Sequence, residues 1–309
     1  MKKVIIVLFL ILIAFSFDKE ILGDTVYNYY SKMISNDKEL IVSNKKYLEK
    51  KNYHKENYVN YLEETTNLVA SNKNDLLNIY YTAINNGYEN ITFYCDKAYS
   101  SCINDITTLD KENNNFSLIN QLVNVYNTYH SIESVYTNNS RIDISITRKY
   151  NKDEIDLIDK KINNIINELN INNLNNVEDK IKTFHDYLAN NNVYDIEKAN
   201  NLEIDNDSDS AIGALFNGKA ICSGYSDALA IFLDKLSLPN VRIATTNHVW
   251  NAVKINNEWK HIDLTWDDPI VNDGSSIIQY DYFLISTKEL ENKNDDDHNY
   301  DKEVYSFIN

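Results

Sequence analysis

The last third of the chain contains, in this order, Cys222, His248 and Asp263. Their side chains are of the types that carry out nucleophilic chemistry. Cys222 begins a predicted amphipathic helix, whose apolar stripe continues to Leu236 and which stops before Pro239. The positive end of a helix dipole favours a thiolate over a thiol, and the thiolate is the nucleophilic form. The position therefore suits a nucleophile, although a buried cysteine that serves as a small hydrophobic residue is the alternative.

Two predicted strands, His248 to Ile255 and Glu258 to Thr265, follow this helix and are joined by Asn256-Asn257. Asparagine tolerates the left-handed backbone that a two-residue hairpin turn requires. In that register Trp250 pairs with Asp263, so the side chains of Asp263 and His248 become diagonal neighbours on one face. A three-residue turn would send Asp263 to the other face unless a bulge restored it. The hairpin register thus decides whether the carboxylate reaches the imidazole.

The chemistry expected of these groups is acyl transfer through a thioester. His248 takes the proton of Cys222 or pairs with its thiolate, and Asp263 fixes the ring tautomer and offsets the imidazolium charge. The thiolate attacks a carbonyl carbon and expels an amine or ammonia, and water or a second amine then resolves the thioester. The oxyanion formed on the way needs hydrogen-bond donors. The backbone N–H of Cys222 is the first candidate, and Tyr194 and Trp250 are further candidates as side-chain donors or cleft walls.

The motifs around these residues resemble those of the bacterial transglutaminase-like proteins, relatives of the papain-type thiol enzymes. The resemblance covers roughly Val177 to Ser286 and rests on three ordered segments, Gly218 to Tyr225, His248 to Asn251 and Trp259 to Pro269. By position it implies a catalytic triad of Cys222, His248 and Asp263. It also implies a fold in which a helix carrying the cysteine packs on an antiparallel sheet carrying the histidine and the aspartate. Val249 and Asn257 depart from the usual small residue and turn glycine, and neither change removes a reacting group.

Two other histidines have structural interpretations. His261 shares a strand face with Asp263 by parity, and we expect it to be a neighbour rather than a second base. His185 lies on an apolar helical stripe and is expected to be a hydrogen-bonded core residue. Cys222, His248 and His261 are a conceivable set of zinc ligands. A cysteine on a helix followed by a histidine and an aspartate on two strands is, however, already explained by the nucleophile, base and acid assigned above. We therefore expect neither a metal nor another cofactor.

The chain begins with Met1-Lys2-Lys3, continues with an apolar run from Val4 to Phe17, and then turns polar at Asp18. The run is short for a membrane span, which needs about 20 residues, and is typical of a secretory signal peptide. The cleavage site after Ser16 is weak because phenylalanines flank it, so an uncleaved membrane anchor is the alternative to a cleaved signal peptide. We expect the protein to be secreted or held at the cell surface.

We divide the chain into the signal peptide or anchor at 1–17, an N-terminal domain at 18–150 and a catalytic domain at 151–309. The N-terminal domain is predicted to be mostly helical up to residue 86, with a small α/β unit after it. In that unit Ile142, Ile144 and Ile146 alternate with polar residues, as in a half-buried strand. The fold class expected for the chain is α+β. Cys95 and Cys102 can form a disulfide in an exported protein, and the sequence leaves that pairing open.

The net charge of the chain limits the classes of partner that it can bind. The formal net charge of −16 repels phosphate backbones, so we expect no nucleic-acid partner. Membrane contact is expected only through an uncleaved N-terminal segment, and the expected partner is a protein or peptide substrate, including one associated with the cell wall.

Three functions remain as alternatives. We place a cysteine peptidase or amidase that cuts peptide or isopeptide bonds first. A protein-glutamine gamma-glutamyltransferase that cross-links proteins and a non-catalytic binding module on the same fold are the alternatives.

Overall fold

A computed structural model describes residues 61–111, 113–137, 140–268 and 278–308. The predicted signal peptide or anchor at 1–17, the helices predicted between residues 18 and 60, the turn at Asn138-Asn139 and Pro269 lie outside the described residues. The described part contains both helices and sheets, and the expected α+β class is confirmed. Within these ranges, none of the helices combines the length and the apolar character that crossing a bilayer requires.

The first sheet belongs to the N-terminal module, by which we mean residues 61–150. Its order is β1-β2-β4-β3, where β1 is Val69–Ala70, β2 is Asn90–Cys95, β3 is Tyr129–Thr137 and β4 is Arg141–Arg148. The strands β1 and β2 are parallel, and the other two pairs are antiparallel. The three alternating isoleucines of β4 are buried, as the period-2 pattern predicts.

Three helices of the N-terminal module share an apolar core with this sheet: α1 at Lys73–Asn85, α2 at Cys102–Lys111 and α3 at Asn113–Leu122. The stretch from residue 61 to Asn72 is not helical, so the helical prediction up to residue 86 holds only for α1 within the described part. A disulfide joins Cys95, the last residue of β2, to Cys102, the first residue of α2. The structure thereby answers the pairing that the sequence left open.

Two long helices lead from the N-terminal module to the cysteine. These are α4 at Lys152–Glu168 and α5 at Val177–Asn191, and α5 buries Ile181, Phe184, His185 and Leu188 as its apolar stripe predicts. The short strand β5 at Val193–Tyr194 then pairs in parallel with β6 at Lys219–Ala220. The one-turn helix α6 at Ile196–Asn200 lies between the two strands in sequence.

The expected cysteine helix and antiparallel sheet follow. Helix α7 spans Cys222–Lys235, and the sheet has the order β10-β9-β8-β7. Its strands are β7 at Asn240–Ala244, β8 at Val249–Ile255, β9 at Glu258–Ile262 and β10 at Phe283–Ile285. Two short helices complete this part, α8 at Leu264–Asp267 and α9 at Thr287–Asn292.

The predicted register of the β8–β9 hairpin is confirmed where the strands pair. Ile255 faces Glu258 and Asn251 faces Ile262. Both turn residues, Asn256 and Asn257, have the left-handed backbone expected of them, with φ angles of 51° and 68°. The predicted strand to Thr265 is wrong, because β9 ends at Ile262 and the chain enters α8. Asp263 causes this change, since its side chain caps the new helix and an aspartate is among the best N-cap residues.

The sheet of β7, β8, β9 and β10 is buried on both faces. Helix α7 packs on one face, against Val253, Ile255 and Ile262. Trp250, Ala252 and Trp259 belong instead to the apolar core that contains the N-terminal module. The domain boundary at residue 150 stays a prediction, and the apolar core continues across it.

A buried charge network ties the N-terminal module to the cysteine helix. Asp227 of α7 is 1% exposed and accepts hydrogen bonds from Lys149 Nζ at 2.7 Å and from the Tyr150 hydroxyl at 2.6 Å. It also pairs with Arg242 of β7, which donates in addition to the Asn120 carbonyl of α3. Burial alone would raise the pKa of Asp227, but the charges of Lys149 and Arg242 hold that pKa below its usual range. The carboxylate therefore stays ionised inside the core.

Replacing Asp227 should destabilise the fold strongly. Asp227→Ala leaves the Arg242 guanidinium buried without its counter-charge, and breaking a buried pair in this way costs about 3–5 kcal/mol of the free energy of unfolding. Urea unfolding followed by circular dichroism measures the loss. The control is Glu291→Ala, which breaks an ion pair whose side chains are 42% and 55% exposed and should cost less than about 1 kcal/mol. Equal small losses in the two variants would contradict the role of the network.

Candidate active site

Cys222 is the first residue of α7 and a free, partly exposed thiol. The N-cap before it is Ile221, whose side chain makes no capping hydrogen bond. The amides of the first turn are therefore not occupied by a side chain of the cap, and the positive end of the helix lies beside the sulfur. This local structure keeps the Cys222 backbone N–H as the first candidate for binding an oxyanion.

The small residues beside Cys222 pack against other parts of the chain. A side chain at Gly224 would place its Cβ 2.4 Å from the Ser208 carbonyl oxygen, so glycine is needed for α7 to approach that loop. Ala220 is fully buried, and the Ser223 hydroxyl donates to the Asp209 carbonyl at 2.9 Å. All three residues therefore contribute to the packing of α7 against the loop at Ser208 and Asp209.

Two hydrogen bonds fix α7 relative to the segments that carry the histidine and the aspartate. The Tyr225 hydroxyl donates to Asp268 at 2.6 Å, just beyond α8. The Asn251 side-chain amide of β8 donates to the Ser226 carbonyl at 3.0 Å. The cysteine helix is thus connected to both α8 and β8 within one turn of Cys222, so the reacting groups keep their separation.

The imidazole of His248 lies between the thiol and the carboxylate. Its Nε2 is 2.5 Å from Asp263 Oδ2, and the Cys222 side chain is close enough to contribute to raising the pKa of the ring. Because Nε2 faces Asp263, the Nδ1 atom is the nitrogen left for the sulfur. His248 comes immediately before β8 and Asp263 immediately after β9, so the confirmed register brings the two residues together.

Asp263 is held by donors on both of its oxygens. Oδ1 accepts the backbone N–H groups of Thr265 at 2.9 Å and Trp266 at 3.2 Å, as the N-cap of α8. Oδ2 accepts from His248, and Asp263 is 2% exposed. A carboxylate in this position is fixed in orientation and cannot rotate away from the imidazole.

The electrostatics of the site favour a charged pair. Burial of the His248 ring opposes its protonation, but the charge and hydrogen bond of Asp263 and the contact with Cys222 outweigh burial and raise the pKa of His248 to about 10. Burial would raise the pKa of Asp263, yet His248 and His298 hold it below its ordinary range. At neutral pH the imidazolium form of His248 is therefore favoured. In general, an imidazolium beside a cysteine favours the thiolate form of that cysteine.

Tyr194 and Trp250, the two side-chain candidates, have different surroundings. Burial and the nearby charges of Cys222 and Asp263 raise the pKa of Tyr194 to about 12, so its phenol stays protonated close to the thiol. Trp250 is 1% exposed, and its indole N–H donates to His261 Nδ1 at 3.2 Å. That bond removes Trp250 as an oxyanion donor. Its ring packs against His248 instead, with centroids 5.8 Å apart.

His261 and His185 have the structural surroundings expected of them. His261 accepts from Trp250 and faces the Thr287 hydroxyl with Nε2 at 3.2 Å. Burial and the charges of Lys302 and His298 lower the pKa of His261 to about 3, so the ring is neutral. His185 is fully buried, with Asp186 at 3.1 Å and Asp267 at 3.2 Å. Both rings bond to other side chains, His261 to Trp250 and Thr287 and His185 to Asp186 and Asp267, and they support the surrounding packing.

One residue of the site has no counterpart among the sequence predictions. His298 Nε2 lies 2.8 Å from Asp263 Oδ2, although the two residues are 35 positions apart. The available signal was a histidine three residues after Asp295 in an acidic stretch, the spacing of a local hydrogen bond. That spacing explains the Asp295 contact but gives no hint of Asp263.

A metal ion has one conceivable set of ligands among the described residues. His248, Asp263 and His298 offer ligand atoms within 4.8 Å of one another, and His261 is not part of this group. Direct hydrogen bonds of 2.5 Å and 2.8 Å already join the carboxylate to the two rings. The geometry is thus accounted for by hydrogen bonding among the three side chains.

These groups together define a class of site. A partly exposed thiol at a helix N-terminus, an imidazole and a buried carboxylate are the components of nucleophilic catalysis by cysteine. The helix that carries the thiol packs on the antiparallel sheet that positions the other two groups. The arrangement can form and resolve a thioester.

Comparison with solved structures finds four matching chains, including the following two. One is described as the crystal structure of a TGase; it is 20% identical, the match covers 44% of each chain, and the TM-score is 0.34. The other, from Cytophaga hutchinsonii, is provisionally described as a cysteine protease; it is 16% identical, with 48% of this chain and 65% of that chain covered and a TM-score of 0.28. This chain thus spans less than two thirds of either structure. No family model and no curated protein matches it.

Alkylation of Cys222 should persist at mildly acidic pH. An isolated cysteine has a pKa near 8.5, so its thiolate fraction falls about tenfold per pH unit below that value. Because the pKa of His248 is raised to about 10, its imidazolium is present throughout the neutral range and is lost only as pH rises through that value. We expect the iodoacetamide rate at Cys222, followed by intact mass, to change less than about threefold between pH 6.5 and 8.

The matched variant for this measurement is Asp263→Asn, which removes the charge that stabilises the imidazolium. Its alkylation rate should fall steeply below pH 8, as for an ordinary cysteine. A wild-type protein with the same steep fall would contradict the charged pair.

Proposed function

We propose that the protein is a thiol acyl-transfer enzyme acting on peptide or isopeptide amide bonds. Cys222 is the nucleophile, His248 the general base and acid, and Asp263 the residue that orients the ring and offsets its charge. The observation that carries the proposal is the 2.5 Å bond between the His248 imidazole and the buried carboxylate of Asp263, beside the thiol of Cys222, which contributes to raising the pKa of the ring.

The reaction follows from this geometry in two halves. The Cys222 proton resides on His248 Nδ1, and the sulfur forms a bond to the substrate carbonyl carbon, which gives a tetrahedral oxyanion. The C–N bond then breaks, the amine leaves with the proton of the imidazolium, and a thioester remains. Water attacks the thioester while His248 takes its proton, the C–S bond breaks, the acid is released, and the thiolate of Cys222 and the imidazolium of His248 are restored. The Cys222 backbone N–H and the Tyr194 phenol are our candidates for oxyanion donors.

Within this class we place hydrolysis first. Cys222 is partly exposed, so water has access to a thioester formed on its sulfur. Transfer to a lysine amine uses the same groups and would make the protein a cross-linking transglutaminase. A labelled amine offered with casein distinguishes the two: its incorporation indicates transfer, and release of ammonia or peptide without incorporation indicates hydrolysis.

Cys222→Ala should abolish the reaction and preserve the fold. Removing the nucleophile of a covalent mechanism costs more than about 10³-fold in rate, and the partly exposed thiol makes no capping bond for α7. Product release and intact-mass detection of an acyl adduct measure the loss, and circular dichroism checks the fold. The control is Cys95→Ser/Cys102→Ser, which removes the other two cysteines and should still trap the adduct. If the wild type forms no product and Cys222 resists alkylation, the binding-module alternative is favoured.

We also propose that the protein is exported through its N-terminal segment. The support is the basic start at Lys2-Lys3 and the apolar run from Val4 to Phe17. The Cys95–Cys102 disulfide adds support, because disulfides persist in oxidising compartments. A protein or peptide at the cell envelope is the substrate that this location would offer.

Fractionation of cells that express the full chain should place the protein outside the cytoplasm. N-terminal sequencing of that fraction then distinguishes a cleaved signal, with Phe17 as the new first residue, from an uncleaved anchor. Leu8→Arg interrupts the apolar run and should retain the protein in the cytoplasm. Cytoplasmic recovery of the wild-type protein would rule out export.

A further inference from the structure

A second imidazole is bonded to the same carboxylate oxygen as His248. Asp263 Oδ2 lies 2.5 Å from His248 Nε2 and 2.8 Å from His298 Nε2. With the two backbone donors on Oδ1, Asp263 is bonded to four donors. His298 and His248 therefore share one carboxylate oxygen, and their ring centroids lie 5.3 Å apart.

Both ring nitrogens of His298 face carboxylates. Its Nδ1 is 2.5 Å from Asp295 Oδ1, while its Nε2 faces Asp263. Carboxylate oxygens only accept hydrogen bonds, so the ring satisfies both contacts by donating twice, as an imidazolium. Asp295 is itself fixed, because it accepts the Tyr282 hydroxyl at 3.1 Å and the His298 backbone N–H at 2.9 Å.

Aromatic rings hold the His298 side chain, which is 2% exposed, in one orientation. Tyr282 stacks on it with centroids 4.7 Å apart, and Trp250 and Trp266 approach edge-on at 4.8 Å and 5.4 Å. The faces of aromatic rings favour a neighbouring cation. The pocket thus fits a charged imidazole that cannot turn away from Asp263.

The titratable groups that face His298, among the described residues, come from four segments. Asp263, Asp295 and Tyr282 bond to the ring or to its partner, and the His248 ring lies edge-on at 5.3 Å. The fifth group is His261, on which the charge of His298 acts and which is neutral. The negatively charged neighbours of His298 are therefore the carboxylates of Asp263 and Asp295, and its positively charged neighbour is His248.

We propose that His298 is a positioning residue, a buried positive charge that anchors Asp263 and sets the pH range in which the Cys222–His248 ion pair exists. This inference rests on the proposed function of Cys222, His248 and Asp263. Without the positive charge of His298, the negative charge of Asp263 acts on His248 alone, so the imidazolium form of His248 is stabilised more. It also removes a cation from the surroundings of the thiolate, which is then favoured less. Both effects move the active range to higher pH.

The test is the iodoacetamide rate at Cys222 against pH in wild type and in His298→Gln, whose amide can donate to Asp263 but carries no charge. We expect the midpoint of the variant profile to lie about 0.5–1 pH unit higher, which is a three- to tenfold slower reaction on the acidic limb. The matched control is His185→Gln. His185 is as buried and also lies between two carboxylates, Asp186 and Asp267, yet does not bond to Asp263. It should leave the midpoint in place.

A His298→Gln profile that superimposes on the wild type, or an equal shift in His185→Gln, would overturn the inference. If His298→Gln does not fold, the wild-type protein supplies the test, because ¹⁵N shifts of its ring at pH 7 must show both nitrogens protonated. A singly protonated His298 ring overturns the proposal. A different result would contradict the proposed function itself: wild-type Cys222 would show no reactive thiolate below pH 8.

Discussion

One carboxylate, that of Asp263, connects the folding of the hairpin with its chemistry. It ends β9, caps α8 through Oδ1 and receives two imidazoles at Oδ2. The cap and the contacts with the imidazoles use different oxygens, so the same group can satisfy both without compromise. Because all of its partners are protein donors, Asp263 stays ionised at 2% exposure without the help of solvent.

The surroundings of this carboxylate depend on packing on both faces of the sheet. Helix α7 covers one face and brings the thiol, while Trp250, on the other side, forms the wall behind His248 and His298. The network of Asp227 and Arg242 connects α7 to the N-terminal module at the far side of the helix. Residues 61–150 are therefore part of the scaffold that keeps the site in place.

The sequence indicated the parts of the site that depend on local rules. The helix start at Cys222 follows from periodicity, and the two asparagines of the turn determine the register that joins His248 to Asp263. The end of β9 was missed because capping by Asp263 outweighs the tendency of the following residues to extend. His298 was missed because its contact with Asp263 depends on how the chain returns after α9, which no local pattern encodes. The bond from Trp250 to His261 is likewise a consequence of packing across strands.

Ile221, the residue before the cysteine, illustrates a compromise between durability and reactivity. An isoleucine at this position forfeits the stabilisation, about 1 kcal/mol, that a serine or aspartate cap would give to the helix. A capping side chain would, however, bond the N–H of Ser223 or Gly224, next to the Cys222 N–H, and an aspartate there would repel a thiolate. The apolar side chain of Ile221 thus leaves the helix slightly weaker and brings no negative charge near the sulfur, as trade-offs between stability and activity predict.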